Sequence, residues 1–336
     1  MQRSRREAAT SNQRSAASLL HAAVLASCAL VGIHSAHAQQ AATSPEQPIV
    51  TLHEHVEEVV LYCTVTGAGG TPVADLRRED FSILEDRKSV PLAYFSHDDV
   101  PISLALLLDG SGSMKAKRAA VATAALDLIR ASNPEDESSV TNFADSAYRD
   151  QALTTDVTAL QHALEQNKSV SGGTALYDTV ISSADDLAGH AHHSRQVMVV
   201  ITDGHDNASA ADLAATIGRI QRGNGPEIYT IGLLYDTPSS DAGRAKKELR
   251  ALAEQTGGMS FFPASLADVD RVALEVAKDI RSQYTLAFHP MVTGTDDQYH
   301  RITVRAKKTG EAGLQVRTRA GFVRAPSREQ GSEDKR

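Results

Sequence analysis

The stretch ISLALLLDGSGSM, residues 102–114, decides the fold of this chain. Its unbroken apolar run, closed by two glycines, is typical of a central parallel strand that is buried on both faces and followed by a tight loop. Asp109, Ser111 and Ser113 then lie at the carboxyl end of that strand, where open α/β sheets bind ligands. One carboxylate and two hydroxyls on such a loop suit a hard divalent cation.

Two further loops supply oxygen ligands of the same kind. The segment SGGTALYD, residues 171–178, presents Thr174 just before a predicted helix, and MVVITDGHDN, residues 198–207, is a second buried strand that ends in Asp203. Each loop alone is composed of ordinary turn residues. The ordered set of Asp-x-Ser-x-Ser, then Thr, then Asp indicates a metal site at the point where the three loops meet.

With these motifs in this order, residues 101–282 resemble a von Willebrand factor type A domain that carries a metal-ion-dependent adhesion site. The resemblance implies a doubly wound, mostly parallel α/β sheet of the Rossmann-like kind and a bound Mg²⁺ or Mn²⁺ ion. In the family, hydroxyl groups bind the ion directly, and the acidic groups bind it directly or through water. The residues that match these positions are Asp109, Ser111, Ser113, Thr174 and Asp203.

Three neighbouring residues are candidates for other roles at this site. Asp178 and Asp206 are candidates for supporting the metal ligands, as is Asn207. His205 stands where relatives often have an acidic residue, so we do not assign it as a ligand. The cluster of His190, His192 and His193 resembles a metal-binding tract, but it lacks a Cys or carboxylate at ligand spacing and lies on the side opposite the metal face.

An ion held by two carboxylates and neutral hydroxyls stays electrophilic and keeps a coordination position open. A Glu or Asp of a partner protein can fill that position, so the resemblance implies a protein-binding module for adhesion or scaffold assembly rather than an enzyme. Two alternatives remain open at this stage. The first is a metal-dependent hydrolase with His205 as general base, and the second is a purely structural ion.

The chain lacks G-x-x-x-x-G-K-S/T, which excludes a phosphate loop, and the spacing of a G-x-S-x-G elbow is absent from residues 109–113.

Short alternating strands flank the α/β segment on both sides. Residues 49–98 and residues 283–324 each contain too few strands to bury a core alone. The two flanks together therefore predict one small β-sandwich into which the α/β domain is inserted. One predicted strand runs from Leu314 to Val323. The layout of these flanks resembles the secreted bacterial VWFA-related proteins.

The N-terminal 38 residues have the pattern of a secretory signal peptide, with a basic start, an apolar segment and Ala36-His37-Ala38 as the cleavage site. A linker over residues 39–48 and a disordered tail over residues 325–336 complete the predicted organisation. We therefore expect a periplasmic, cell-envelope or secreted protein. A membrane contact would follow only from lipid attachment at Cys28 or from an uncleaved signal.

Composition narrows the class of partner. The basic N-terminal segment contains four arginines and one glutamate, so the net charge of −8 understates the acidity of the remaining chain. Aromatic residues make up only 4% of the sequence and Trp is absent. An acidic surface without stacking platforms excludes nucleic acid as the expected partner. Cys63, the one cysteine left after signal cleavage, is predicted to be a buried thiol.

Overall fold

The computed structural model describes residues 58–166, 172–291 and 298–323. The predicted signal peptide, the Cys28 lipidation site, the linker, the first residues of the N-terminal sandwich part and the predicted tail lie outside these ranges. Among the described residues, no helix is both long enough and apolar enough to cross a bilayer.

The described part of the chain begins with four short strands that do not form a sheet by themselves. They are β1 (Val59–Thr66), β2 (Phe81–Glu85), β3 (Lys88–Val90) and β4 (Tyr94–Ser96). Only β2 and β3 pair with each other. The turn between them places Asp86 and Arg87 at φ angles of 47° and 70°, the pattern of a two-residue hairpin turn with both central residues in the left-handed region.

Strands and helices then alternate in an α/β domain. The elements are β5 (Ser103–Asp109), α1 (Arg118–Ala131), β6 (Glu137–Phe143), β7 (Ala147–Thr154), α2 (Val157–Glu165), α3 (Leu176–His190), β8 (Gln196–Thr202), α4 (Leu213–Ile220), β9 (Glu227–Gly232), α5 (Ser239–Thr256), β10 (Ser260–Phe261) and α6 (Val269–Arg281). The sheet order is β10-β9-β8-β5-β6-β7, and every pair is parallel except β6 with β7. The predicted doubly wound, mostly parallel sheet is therefore confirmed.

The apolar run of residues 102–108 lies at the centre of this sheet. Leu104, Leu106 and Leu108 pack into a core with α1, α2 and α6, whereas Ala105 and Leu107 pack into a second core with α3, α4 and α5. Because side chains alternate between the two faces of a strand, a strand covered by helices on both faces needs apolar residues at every position.

The last strands of the described part of the chain are β11 (Tyr284–Phe288), β12 (Tyr299–Ala306), β13 (Gln315–Arg317) and β14 (Gly321–Val323). These strands join the N-terminal ones in two antiparallel sheets of order β13-β1-β11-β4 and β14-β12-β2-β3. The two sheets enclose a shared apolar core that includes Leu61, Cys63, Tyr284 and Phe322. The fold class, an α/β domain inserted in a small β-sandwich built from both flanks, is confirmed.

The single strand predicted over Leu314–Val323 is wrong. The segment forms β13 in one sheet and β14 in the other, so it crosses the sandwich edge between residues 317 and 321. At Gly321 a Cβ atom would lie 2.3 Å from the carbonyl oxygen of His300. The close approach of β14 to β12 therefore requires glycine at position 321. The crossing could not be predicted because the alternation of apolar and polar residues continues from β13 into β14.

A buried polar network joins the sandwich to the α/β domain. Arg195, which is 3% exposed, donates hydrogen bonds to the carbonyl oxygen of Ile280 at 2.7 Å and to the side chain of Gln283. Its guanidinium also lies 3.4 Å from the Glu227 carboxylate and over the ring of Tyr62. Burial raises the pKa of the Glu227 carboxyl against the opposing positive charge of Arg195.

Candidate metal centre

The sequence-predicted site residues lie at the switch point of the sheet. Strand β5 stands between β6 and β8, so the chain leaves it towards one edge and later returns on its other side. A crevice opens outside the carboxyl ends of the strands at such a point. Asp109 is the last residue of β5 and Asp203 directly follows β8, which places both carboxylates at this crevice.

Hydrogen bonds connect four of the five predicted metal ligands. The Ser113 hydroxyl donates to Asp203 Oδ1 at 2.8 Å, and the hydroxyl oxygens of Ser111 and Ser113 are 3.1 Å apart. Asp109 Oδ1 accepts from the backbone N–H of Ser111 at 2.8 Å, and its Oδ2 accepts from the Thr202 hydroxyl at 2.6 Å. The two carboxylates and two hydroxyls therefore converge on one small volume.

Thr174 is fastened to the same edge of the sheet by its backbone. Its N–H donates to the Asn207 side-chain oxygen at 2.7 Å, and the Asn207 N–H donates to the Thr174 carbonyl at 3.1 Å. The next N–H, of Ala175, donates to the carbonyl of Ala144 just after β6 at 2.6 Å. Within the described ranges the Thr174 hydroxyl makes no hydrogen bond to the other four side chains, so the structure positions its loop rather than its hydroxyl.

The paired glycines before Thr174 allow this loop to approach its neighbours closely. A Cβ atom at Gly173 would lie 2.5 Å from Asn207 Oδ1, and one at Gly172, whose φ is +152°, would lie 2.1 Å from Asp145 Oδ2. The Gly173 N–H donates to Asp145 Oδ1 at 2.6 Å. A side chain at either position would displace the Asp145 carboxylate or the Asn207 amide, the two groups that bind this loop to the loops after β6 and β8.

The two predicted supporting aspartates hold loops together rather than touching the five residues. Asp206 accepts from the N–H groups of Tyr177 at 3.0 Å and Ser209 at 3.2 Å. Asp178 accepts from the N–H groups of Ala210 and Ala211 at 2.8 and 3.0 Å. Both carboxylates therefore bind the start of α3 to the loop that follows Asp203.

A comparison with protein families identifies this part of the chain. The family model for the von Willebrand factor type A domain matches residues 104–205, which run from β5 to just beyond β8 and include all five predicted ligands. This chain contains a von Willebrand factor type A domain. Comparison with curated proteins gives no match.

Solved structures are similar to the chain in fold. A von Willebrand factor type A protein from Catenulispora acidiphila is 14% identical, with 82% of this chain and 76% of that chain covered and a TM-score of 0.47. An aerotolerance-related membrane protein from Bacteroides fragilis is 17% identical, with coverages of 53% and 98% and a TM-score of 0.44. The vWF domain of the type V pili tip protein Mfa5 from Porphyromonas gingivalis is 12% identical, with coverages of 54% and 95% and a TM-score of 0.43.

Sequence reasoning missed a buried lysine at the von Willebrand domain site. Lys117, which is 5% exposed, places its ammonium group 2.8 Å from Asp203 Oδ2 and 2.6 Å from Asp236 Oδ1. Burial by itself lowers the pKa of Lys117, but the hydrogen bonds and negative charges of the two aspartates outweigh it and the pKa is raised. Lys117 is therefore a fixed positive charge on a predicted metal ligand.

The electrostatics of the von Willebrand domain site favour a positive occupant. Burial raises the pKa of the Asp109 carboxyl, and the neighbouring charge of Asp203 raises it further, against the hydrogen bonds from Thr202 and Ser111. Two buried carboxylates close together repel each other unless a cation lies beside them. Lys117 pairs with Asp203, but Asp109 forms no ion pair among the described residues. The donor set of carboxylate and hydroxyl oxygens fits a Mg²⁺ or Mn²⁺ ion, which Asp109, Ser111, Ser113, Thr174 and Asp203 would hold.

His205, the base that a hydrolase would need, is not prepared for that role. Its side chain is half-buried and makes no hydrogen bond within the part of the chain that the structure describes. A general base is normally oriented by a hydrogen bond from its second nitrogen. The arrangement therefore gives no support to the hydrolase alternative.

Proposed function

We propose that this chain is an exported, metal-ion-dependent protein-binding module. A von Willebrand factor type A domain is an interaction domain, and the single observation that carries the metal-dependent part is the hydrogen-bonded set of Ser111, Ser113 and Asp203 above the buried Asp109 carboxylate. The pattern of the first 38 residues supports an envelope or extracellular location.

Each residue has a separate task in this proposal. Asp109 is fixed by Thr202 and Ser111 and supplies buried negative charge, while Ser111 and Ser113 supply neutral oxygens that do not cancel the charge of the ion. A bound Mg²⁺ or Mn²⁺ supplies a positive centre with an open coordination position. A Glu or Asp side chain of the partner protein completes the coordination, so capture depends on both the ion and an acidic residue.

The test is capture of a partner from envelope extract by the immobilised protein in buffers with Mg²⁺, with Mn²⁺ and with EDTA. We expect a protein to be retained with either ion and released by EDTA, with recovery after Mg²⁺ is restored. Retention that is equal in EDTA contradicts the proposal. If chelation lowers the melting temperature but nothing is retained under any condition, the ion is structural and has no ligand.

Replacing Lys117 by methionine is expected to raise Mg²⁺ affinity at least tenfold. Near a protein surface, unit charges 4 Å apart interact by about 4 kcal/mol, and a tenfold change in affinity needs only about 1.4 kcal/mol. The variant removes the ammonium group from Asp203 while keeping an apolar stem of similar length. Isothermal titration with Mg²⁺ measures the effect.

Lys115→Met is the matched control for this experiment. Lys115 is exposed, lies two residues from Lys117 and makes no ion pair among the described residues. We expect its Mg²⁺ affinity to stay within about twofold of the wild type, since exposed charges are well screened. Equal affinities for Lys117→Met and the wild type would show that Lys117 does not compete with the ion.

A further inference from the structure

A second group of ligand-type side chains lies in the β-sandwich. Glu85 ends β2, Asp86 follows it in the hairpin turn, and His300 stands on β12, the strand that pairs with β2. One potential ligand atom from each residue lies within 4.8 Å of the others. The group shares no residue with the von Willebrand domain site and belongs to a different sheet.

The Glu85 carboxylate is the observation that points to a ligand. Glu85 is 1% exposed, and its Oε2 accepts a hydrogen bond from the Met291 N–H at 2.8 Å. Its Oε1 is buried without a hydrogen-bond partner in the described part of the chain and lies 3.6 Å from His300 Nδ1. Because buried polar atoms are almost always satisfied, an orphaned carboxylate oxygen aimed at an imidazole needs a physical reason.

Residues outside this group orient its side chains by hydrogen bonds and ring stacking. Asp86 Oδ1 accepts from the Arg301 N–H at 2.9 Å, which leaves Oδ2 facing His300 Nδ1 at 2.8 Å. The His300 ring stacks on Phe322, with centroids 5.2 Å apart and planes at 28°. Contacts of this kind, which orient ligand side chains from outside the group, are a regular feature of metal sites.

We propose that Glu85, Asp86 and His300 bind a zinc ion through Glu85 Oε1, Asp86 Oδ2 and His300 Nδ1. The ligand set of one imidazole and two carboxylates suits zinc and disfavours magnesium. Two ligands of a tetrahedral zinc ion with bonds of about 2.1 Å are ~3.4 Å apart. The separation of His300 Nδ1 from Glu85 Oε1 is 3.6 Å, and the 2.8 Å hydrogen bond from His300 Nδ1 to Asp86 Oδ2 lengthens by ~0.6 Å when the ion replaces the proton. The half-exposed Asp86 side chain leaves one side open to water as the fourth ligand.

The competing explanation is a charged His300 that forms an ion pair with the two carboxylates and needs no metal. It predicts the same contacts but no metal uptake. A direct measurement of bound zinc therefore distinguishes the two explanations, whereas a measurement of protein stability alone does not.

The experiment measures Zn²⁺ uptake by the full chain in an Asp109→Asn background, which disables the von Willebrand domain site. Equilibrium dialysis and elemental analysis give the stoichiometry, and Co²⁺ substitution gives a visible spectrum that reports nitrogen and oxygen ligation. We expect one zinc ion per chain, with affinity reduced at least tenfold in Glu85→Gln and in His300→Gln. His190→Gln, in the exposed histidine cluster, is the control and should bind as the background does.

The design keeps failure of this site separate from failure of the adhesion proposal, because the background removes the first site. Glu85→Gln preserves the shape of the side chain, and circular dichroism checks that each variant is folded. If Glu85→Gln does not fold, Asp86→Asn, at a half-exposed position, takes its place with the same expected loss. The proposal is overturned if zinc uptake is unchanged in the folded Glu85 or Asp86 variant and in His300→Gln. It is also overturned if the folded Asp109→Asn protein takes up no zinc.

Discussion

Asp109→Asn is expected to lower Mg²⁺ affinity at least 100-fold and to abolish metal-dependent partner capture. The change removes one of two carboxylates from the proposed site, and 100-fold corresponds to about 2.7 kcal/mol. The amide has nearly the same shape, and its oxygen can still accept a hydrogen bond from Ser111 or Thr202, which are the two donors to Asp109. The expected loss is therefore one of charge rather than of fold.

The same variant is expected to leave the metal-free protein as stable as the wild type or more stable. Burial raises the pKa of the Asp109 carboxyl, which means that its charged form is less favourable in the folded state than in the unfolded state. Stability of the metal-free wild type is then lost as the pH rises through that raised pKa. A neutral amide removes this cost at neutral pH.

Titration calorimetry and thermal melts with and without Mg²⁺ test both parts together. Asp185→Asn, at a half-exposed position on α3, is the control and should retain wild-type affinity. A variant at Asp109 that binds Mg²⁺ within threefold of the wild type would remove Asp109 from the site. A variant that loses both metal and fold would instead make its role structural.

Arg195→Met is expected to lower the free energy of unfolding by about 3–5 kcal/mol, the cost of breaking a buried ion pair by removing one partner. The substitution deletes the hydrogen bonds to Ile280 and Gln283 and leaves the buried Glu227 carboxylate with less compensation. Charges in a medium of low polarity are costly unless they are paired. Urea unfolding followed by circular dichroism measures the change.

Arg219→Met provides the matched comparison. Arg219 and its partner Asp185 are each 49% exposed, and exposed pairs contribute about 0–1 kcal/mol. The double variant Arg195→Met with Glu227→Gln should recover part of the lost stability because it removes the uncompensated charge. A loss below about 1 kcal/mol in Arg195→Met would mean that the network does not stabilise the contact between sandwich and α/β domain.

The buried parts of the fold could be predicted from sequence, and the exposed parts could not. The predicted central strand within residues 102–114 and the predicted strand that ends in Asp203 are β5 and β8, because strands buried on both faces of a sheet form unbroken apolar runs. The edge strand β7 was missed. Its side chains are exposed or half-buried throughout, so no apolar alternation marks it.

The candidate site also contains residues that could be predicted from sequence and one that could not. Loop motifs predicted the four residues that the structure joins by hydrogen bonds, because Asp109, Ser111 and Ser113 share one loop and Asp203 directly follows a second buried strand. Lys117 could not be predicted, since it belongs to no such motif and its contacts with Asp203 and Asp236 span 86 and 119 residues. A lysine before a helix is normally solvent-exposed, and only the three-dimensional contact reveals it as buried. The assignment of a metal to these residues stays a prediction.

The split β-sandwich has a consequence for the order of events during synthesis. Apart from the β2–β3 hairpin, every strand before the α/β domain finds its partner after that domain: β1 with β11 and β13, β2 with β12, and β4 with β11. Pairing across such a long separation carries a large entropic cost of loop closure and is slow. We therefore expect the von Willebrand domain to fold first and bring the two flanks together, and the sandwich to form last, once the C-terminal strands have been synthesised.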